Sequence, residues 1–191
     1  MEPETLLITG FMPFGGDPVN PSWEAVKALP DRIGGFSLHK LLLPVEFGCA
    51  ADLAYAEAQA IRASAVLCVG LAAGRTAVTP EAIGINIRDA RIPDNTGAAP
   101  KGEPIEPDAP AAYFSTLPVR GMVEAIRSCG VPSALSYTAG TYVCNDLLYT
   151  LLHRFANTGT RAAFIHVPAI SEQFPLTALC RALEAAIEAI R

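Results

Sequence analysis

The chain has 191 residues, 51% hydrophobic and 17% charged, with a formal net charge of −5. This composition predicts one globular domain over residues 1–191 with a substantial core, and gives no electrostatic reason to bind nucleic acid or an anionic membrane. No apolar run reaches the length of a spanning helix, and the opening MEPETLLITG has neither a basic region nor an apolar leader, so a soluble, cytoplasmic protein is expected.

In chain order, TLLIT (5–9) reads as a first short strand, followed by the loop GFMPFGGDPVNPS. Asn20 is placed to cap a helix whose first residue is Pro21 and whose apolar positions are Trp23, Val26 and Leu29. Residues 38–43 predict a second strand, the Ala-rich segment 49–62 a helix, and AVLCVG (65–70) a third strand buried on both faces. IGINI (83–87) alternates and predicts a fourth strand. Residues 88–118 hold six prolines, which predicts a long excursion with little regular structure, the kind of loop that is functional or mobile. A helix over 119–129 ends at Gly130, ALSYT (134–138) reads as a fifth strand, 145–156 as a helix, RAAFIHV (161–167) as a sixth strand and 175–190 as a final helix.

Alternating strands and helices imply an α/β fold: a single-domain three-layer sandwich, with a mostly parallel twisted sheet and helices on both faces. Functional groups in such a sheet collect beyond the carboxyl ends of the strands. The loop Gly70–Arg75, the loop entered at Arg88, Cys144 and His166 all fall at that edge.

The five cysteines, Cys49, Cys68, Cys129, Cys144 and Cys180, form no CxxC pair and no zinc-like spacing, so free thiols and no metal site are expected. Cys144 stands where a turn-prone run becomes a helix, a position where helix N-terminal N–H groups favour the thiolate. His166 ends an apolar strand stopped by Pro168. A thiol at a helix mouth and an imidazole at a strand end are the parts of a cysteine nucleophile and its base. The plain alternatives are an inert core thiol and a hydrogen-bonded core histidine. Cys68 reads as a core thiol, Cys129 and Cys180 as structural, and Cys49 opens a helix without a partner. His39 and His153 read as packed or surface residues. Glu81, at the start of a strand, is a candidate carboxylate to orient an imidazole, and alone it reads as a surface residue.

Four segments, GFMPFGGDPVNPS, GRTAVTPEAIGINIRDARIPDNTG, SYTAGTYVCND and FIHVPAISEQ, together resemble pyroglutamyl peptidase I, the pyrrolidone-carboxylate peptidase family of cysteine peptidases. The resemblance spans nearly the whole chain, in order. It implies Cys144 as nucleophile, His166 as general base and then acid, and Glu81 as the residue that orients the imidazole. It also implies Arg91 near the developing oxyanion, with the Cys144 backbone N–H as a second donor by its place at the helix mouth. Phe11 and Phe14 match the aromatic pair that holds the pyroglutamyl ring; Asn20, Val45, Ile92, Tyr142 and Val143 match the lining of the same pocket. The chain departs from the family at Leu71, where many members carry glutamine followed by two glycines; here Leu71, Ala72 and Ala73 precede Gly74. The loop backbone is then the expected grip on the lactam. The resemblance further implies pyroglutamyl peptides as substrates, no cofactor, and a homo-oligomer, a dimer or tetramer. Two other readings are a non-catalytic module binding an anionic small molecule or phosphate near Arg75 and Arg91, and a phosphorylase-type transferase, which rests on fold analogy alone.

Overall fold

A computed structural model describes residues 3–190. The first apolar run forms β1 (Glu4–Phe11), buried from Leu6 onward. The helix that follows, α1 (Pro21–Ala28), is capped as its sequence predicts: Asn20 Oδ1 accepts from the Ser22 N–H at 3.1 Å and the Ser22 hydroxyl at 2.8 Å. Next come β2 (Arg32–Ile33) and β3 (Phe36–Leu43), α2 (Cys49–Ala60), β4 (Ala65–Leu71) and β5 (Thr79–Glu81). β6 (Ile83–Ile85) precedes the excursion, which carries β7 (Arg88–Asp89), β8 (Lys101–Glu103) and β9 (Ala112–Phe114). The chain closes with α3 (Val119–Ser128), α4 (Val143–Arg154), β10 (Arg161–Val167) and α5 (Leu176–Glu188).

The main sheet has the order β2-β3-β1-β4-β10-β5. Its four central strands are parallel and both edge strands, β2 and β5, antiparallel. Alternation along the strands divides the core in two. Leu6, Ile8, Leu67, Val69, Ile165 and Val167 face α1, α3 and α5; Leu7, Val66, Cys68 and Phe164 face α2 and α4. The chain is therefore the predicted α/β sandwich. No described helix is long and apolar enough to cross a membrane.

The sheet opens at one point. β1 has β3 on one side and β4 on the other, so the chain reverses its direction of winding there. Pairing of β1 with β3 runs to Phe11↔Leu43, whereas pairing with β4 stops at Thr9↔Cys68. The Phe11 N–H turns instead to Ser22 Oγ at 3.1 Å. The ends of β1 and β4 thus part at the topological switch point.

Two expected strands are placed differently. Residues 83–85 pair with β9 in a separate ladder, outside the main sheet. The Asn145 side chain bonds Ile85 N–H at 2.9 Å and the Ile85 and Ile87 carbonyls at 2.8 and 3.1 Å, taking the place of a strand neighbour. Residues 134–138 form no strand; the region makes isolated bridges at Ser133 and Ser136. The segment still bonds alongside β5: the Ala134 and Ser136 N–H groups donate to the Val78 and Pro80 carbonyls at 3.2 and 2.9 Å, and the Ala82 N–H to the Ser136 carbonyl at 2.7 Å. The Ser136 hydroxyl then takes the Thr138 N–H, which ends the run before it becomes a strand. The 88–118 excursion, expected to hold little regular structure, carries one short ladder of its own, β7 with β8, and lends β9 to β6; Asp94 anchors it with oxygens that accept from the Phe47, Thr96 and Ala98 N–H groups.

Candidate active site

α4 begins two residues before its predicted start, which makes Cys144 its second residue. His166 lies opposite Gly70 in the β10–β4 register. A Cβ on Gly70 would come within 3.0 Å of Cys144 Sγ and 2.6 Å of Phe164 Cζ. The sulfur therefore sits over a bare backbone position, beside the strand that carries His166. Both residues line one cleft.

Behind His166 stands Glu81, fully buried on β5, where it pairs with Phe164 of β10. Glu81 Oε1 lies 2.7 Å from His166 Nδ1. A carboxylate accepts, so Nδ1 carries the proton and Nε2 is left as the basic nitrogen. The same oxygen accepts from Arg75 Nη1 at 2.6 Å, and Arg75 Nη2 donates to the Thr138 carbonyl at 2.8 Å.

Electrostatics correct one expectation. The helix mouth was expected to favour the Cys144 thiolate, but burial pushes this thiol up to about 12, with Glu81 and Cys68 adding to the rise. Arg75 and the residue's own N–H pull the other way and do not win. His166 lies below its ordinary 6.5, chiefly through burial; Glu81 opposes that shift and Arg75 adds to it. Both shifts favour the uncharged forms, a thiol and an imidazole.

Two cavities meet at Cys144. The larger, about 530 Å³, is lined by Phe14, Leu71, Asp89, Arg91, Ile92, Tyr142, Cys144 and His166 among others. A side cavity of about 50 Å³ is lined by Phe11, Phe14, Asn20, Val45, Leu71, Tyr142, Val143 and Cys144. Every expected pocket residue except Ile92 lines this small cavity, which lies where β1 and β4 part; the half-exposed Ile92 lines the cleft. None of the small cavity's lining side chains is charged.

Several local interactions hold these walls. Asn20 Nδ2 donates to the Met12 carbonyl at 3.0 Å, so one side chain caps α1 and braces the Phe11–Phe14 loop. Tyr142 donates its hydroxyl to the Pro93 carbonyl at 3.0 Å and packs edge-on against Phe47. Leu71 ends β4, and the Ala72 N–H is spent on the Val167 carbonyl at 2.9 Å. Arg91 reaches the cleft from the excursion and forms no ion pair among the described residues.

The other thiols are also free. Cys68 is fully buried and pushed up to about 12, while Cys129 and Cys180 point at the Ile126 and Ala25 carbonyls. His39 pairs with Glu57 at 2.8 Å, and His153 meets the Tyr113 hydroxyl at 2.9 Å, both away from the cleft. Two residues take parts here that their local sequence does not indicate: Gly70, expected as the end of a strand, and Arg75, expected only as an anion ligand beside Arg91 in the alternative reading.

An α/β sheet that gathers a thiol, an imidazole and a buried carboxylate at its carboxyl edge has the parts of a cysteine hydrolase. Comparison with known proteins narrows that class. The family model for pyroglutamyl peptidase, peptidase family C15, matches residues 4–191. The chain is 48% identical to a pyrrolidone-carboxylate peptidase of Chromobacterium violaceum, over 89% of this chain and 80% of that one. It is 48% identical to the one from Levilactobacillus brevis, over 97% and 96%. Its fold superposes on the crystal structure of Bacillus amyloliquefaciens pyroglutamyl peptidase I with a TM-score of 0.93 and 40% identity, covering 98% of this chain and 96% of that one. The chain belongs to the pyroglutamyl peptidase family.

Proposed function

We propose that this protein removes an N-terminal pyroglutamyl residue from peptides, with Cys144 as nucleophile. The observation that carries the reading is the junction of the two cavities: Cys144 lines both the small uncharged cavity and the wide cleft that His166 opens onto. Pyroglutamate is a lactam with no free amine, so its pocket needs apolar walls and no counter-ion. Phe11, Phe14, Val45, Leu71, Tyr142 and Val143 supply such walls, with Ile92 at the rim. An open-chain glutamine or glutamate would carry its ammonium into a space with no carboxylate to meet it, and is rejected. The peptide beyond the scissile amide lies in the wide cleft.

The neutral resting pair sets the order of events. Cys144 Sγ attacks the carbonyl carbon as His166 Nε2 takes the thiol proton, and Glu81 stabilises the imidazolium through Nδ1. The Cys144 N–H, in the unpaired first turn of α4, and Arg91 face the charge that grows on the carbonyl oxygen. His166 returns the proton to the leaving amine, the C–N bond breaks, and a thioester remains. Water activated by His166 then cleaves the thioester, releasing pyroglutamate and restoring the thiol. Nothing in this sequence calls for a cofactor.

The test is hydrolysis of a pyroglutamyl–fluorophore amide. The wild type cleaves it and rejects the matching glutaminyl amide, while Cys144→Ala is inactive and still binds a pyroglutamate analogue. Full turnover by Cys144→Ala would refute the mechanism. Five free thiols support a reducing, cytoplasmic setting. Exposed Phe114 and Tyr137 support a homo-oligomer, a dimer or tetramer, which sedimentation checks.

A further inference from the structure

We infer that Arg75 is a positioning residue of the proposed Cys144–His166–Glu81 arrangement, a two-armed clamp that sets the Glu81 carboxylate against His166 and ties it to the segment leading into the nucleophile. The inference rests on the reading of the site given above.

Glu81 is a fully buried carboxylate with an uneven set of partners. Oε1 takes the His166 Nδ1–H at 2.7 Å and the Arg75 Nη1–H at 2.6 Å, while buried Oε2 has no hydrogen-bond partner among the described residues. A neutral imidazole offers no charge to offset a carboxylate at that depth. The guanidinium is the one cation in contact with it among the described residues. Removing one partner of a buried ion pair leaves an uncompensated charge, so Glu81 without Arg75 is free to turn toward solvent or another donor.

The second arm gives the clamp its geometry. Arg75 leaves the β4–β5 loop, donates through Nη1 to Thr79 Oγ1 and to Glu81, and reaches with Nη2 to the Thr138 carbonyl at 2.8 Å. Thr138 stands six residues before Cys144, just past the bridges that Ser133 and Ser136 make to Val78 and Glu81. One planar fork therefore fixes the carboxylate and the approach to α4 together, which a lysine, with a single point charge, does not reproduce. Arg75 lines neither cavity, so it acts through Glu81 and not on the substrate. The titratable and charged groups around His166 are Glu81 from β5, Arg75 from the loop and Cys144 from α4, with Cys68 of β4 beneath Cys144 and with Asp89, Arg91 and Tyr142 across the shared cleft.

The test is a double-mutant cycle on the pyroglutamyl amide. Arg75→Gln is expected to lower kcat by about 10- to 100-fold, the cost of a misplaced catalytic group, with KM within about 2-fold because the pocket is untouched. Losing a cation beside His166 moves the acid limb of kcat/KM upward, whereas Glu81→Gln moves it downward by removing the group that favours the imidazolium. The double variant is expected to be no slower than Glu81→Gln alone. Arg75→Lys keeps the charge, so its acid limb stays in place while kcat falls through loss of the Thr138 arm; it carries the test if Arg75→Gln does not fold. Multiplying effects in the double variant, limbs that move in the same direction, or wild-type kcat in either Arg75 variant overturns the proposal. An impaired Glu81→Gln beside an unimpaired Arg75→Gln refutes Arg75 alone; full activity in Glu81→Gln removes the carboxylate from the mechanism and both readings with it.

Discussion

The two sides of Cys144 are made of opposite materials. Toward the parted ends of β1 and β4 it meets Phe11, Val45, Leu71 and Val143, with no charged lining group. Toward β10 and β5 lie an imidazole and a guanidinium, both hydrogen-bonded to one fully buried carboxylate. The contrast is what the proposed reaction demands. A neutral lactam is told from a charged N-terminus by a pocket that offers charge nothing, while proton transfer needs charge that is buried and compensated. A substitution on the polar side should act on kcat, and one on the apolar side on KM.

The largest effect is expected from His166→Ala. Without a base the neutral thiol keeps its proton, so kcat falls by about 10⁴-fold or more, while a pyroglutamate analogue binds as in the wild type. Calorimetry alongside the amide assay reads both. Loss of analogue binding would mean that His166 belongs to the apolar side as well.

Gly70→Ala tests the boundary between the two materials. The added methyl meets Cys144 Sγ at 3.0 Å and the Phe164 ring at 2.6 Å. Overpacking of this kind costs about 1–3 kcal/mol of stability, and displacing the sulfur lowers kcat by about 100-fold. Unchanged melting and unchanged kcat would show that the sulfur has room to move.

Phe14→Ala acts on the apolar side. Phe14 lines both cavities and is only partly buried, so its loss should spare the fold. Removing about 1.5–3 kcal/mol of apolar contact raises KM by roughly 10- to 100-fold, with kcat changed much less. A fall in kcat at constant KM would contradict the division.

Much of this arrangement was legible in the sequence because it depends on local chemistry. TLLIT and AVLCVG are apolar blocks that only a covered sheet accepts, Asn20-Pro21 is a cap read at sight, and the helix mouth and strand end marked Cys144 and His166. Glu81 was a candidate carboxylate beside them, and the family resemblance then brought in Arg91 and the pocket residues together. What was not legible depends on partners distant in the chain. ALSYT alternates like a strand, yet its backbone partners, Val78, Pro80 and Ala82, lie far back in the chain and give it only isolated bridges. IGINI is a strand whose neighbour is partly the amide of Asn145, 60 residues away from Ile85. Arg75 carries no local signal, since its second contact lies 63 residues on. The helix mouth does favour the thiolate, as its sequence indicates, and is outweighed for a related reason: a helix terminus is visible in sequence, and the depth at which it is buried is not.

That depth yields the smallest effect, on pH. His166 lies below its ordinary 6.5, mainly through burial, with Arg75 adding and Glu81 opposing. The base is active when neutral, so activity is lost as pH falls through the depressed folded value, and the acid limb of kcat/KM should lie below 6.5. The same shift enters stability. Folded His166 binds a proton less readily than unfolded His166, so its contribution is fully present above about 6.5, the unfolded value. It declines as pH drops from there toward the folded value. Urea midpoints measured from pH 7.5 down to 5 should therefore fall in the wild type and fall less in His166→Gln, where this proton is absent. An acid limb above 6.5 would mean that Glu81 outweighs burial, and that the polar side holds an imidazolium at rest.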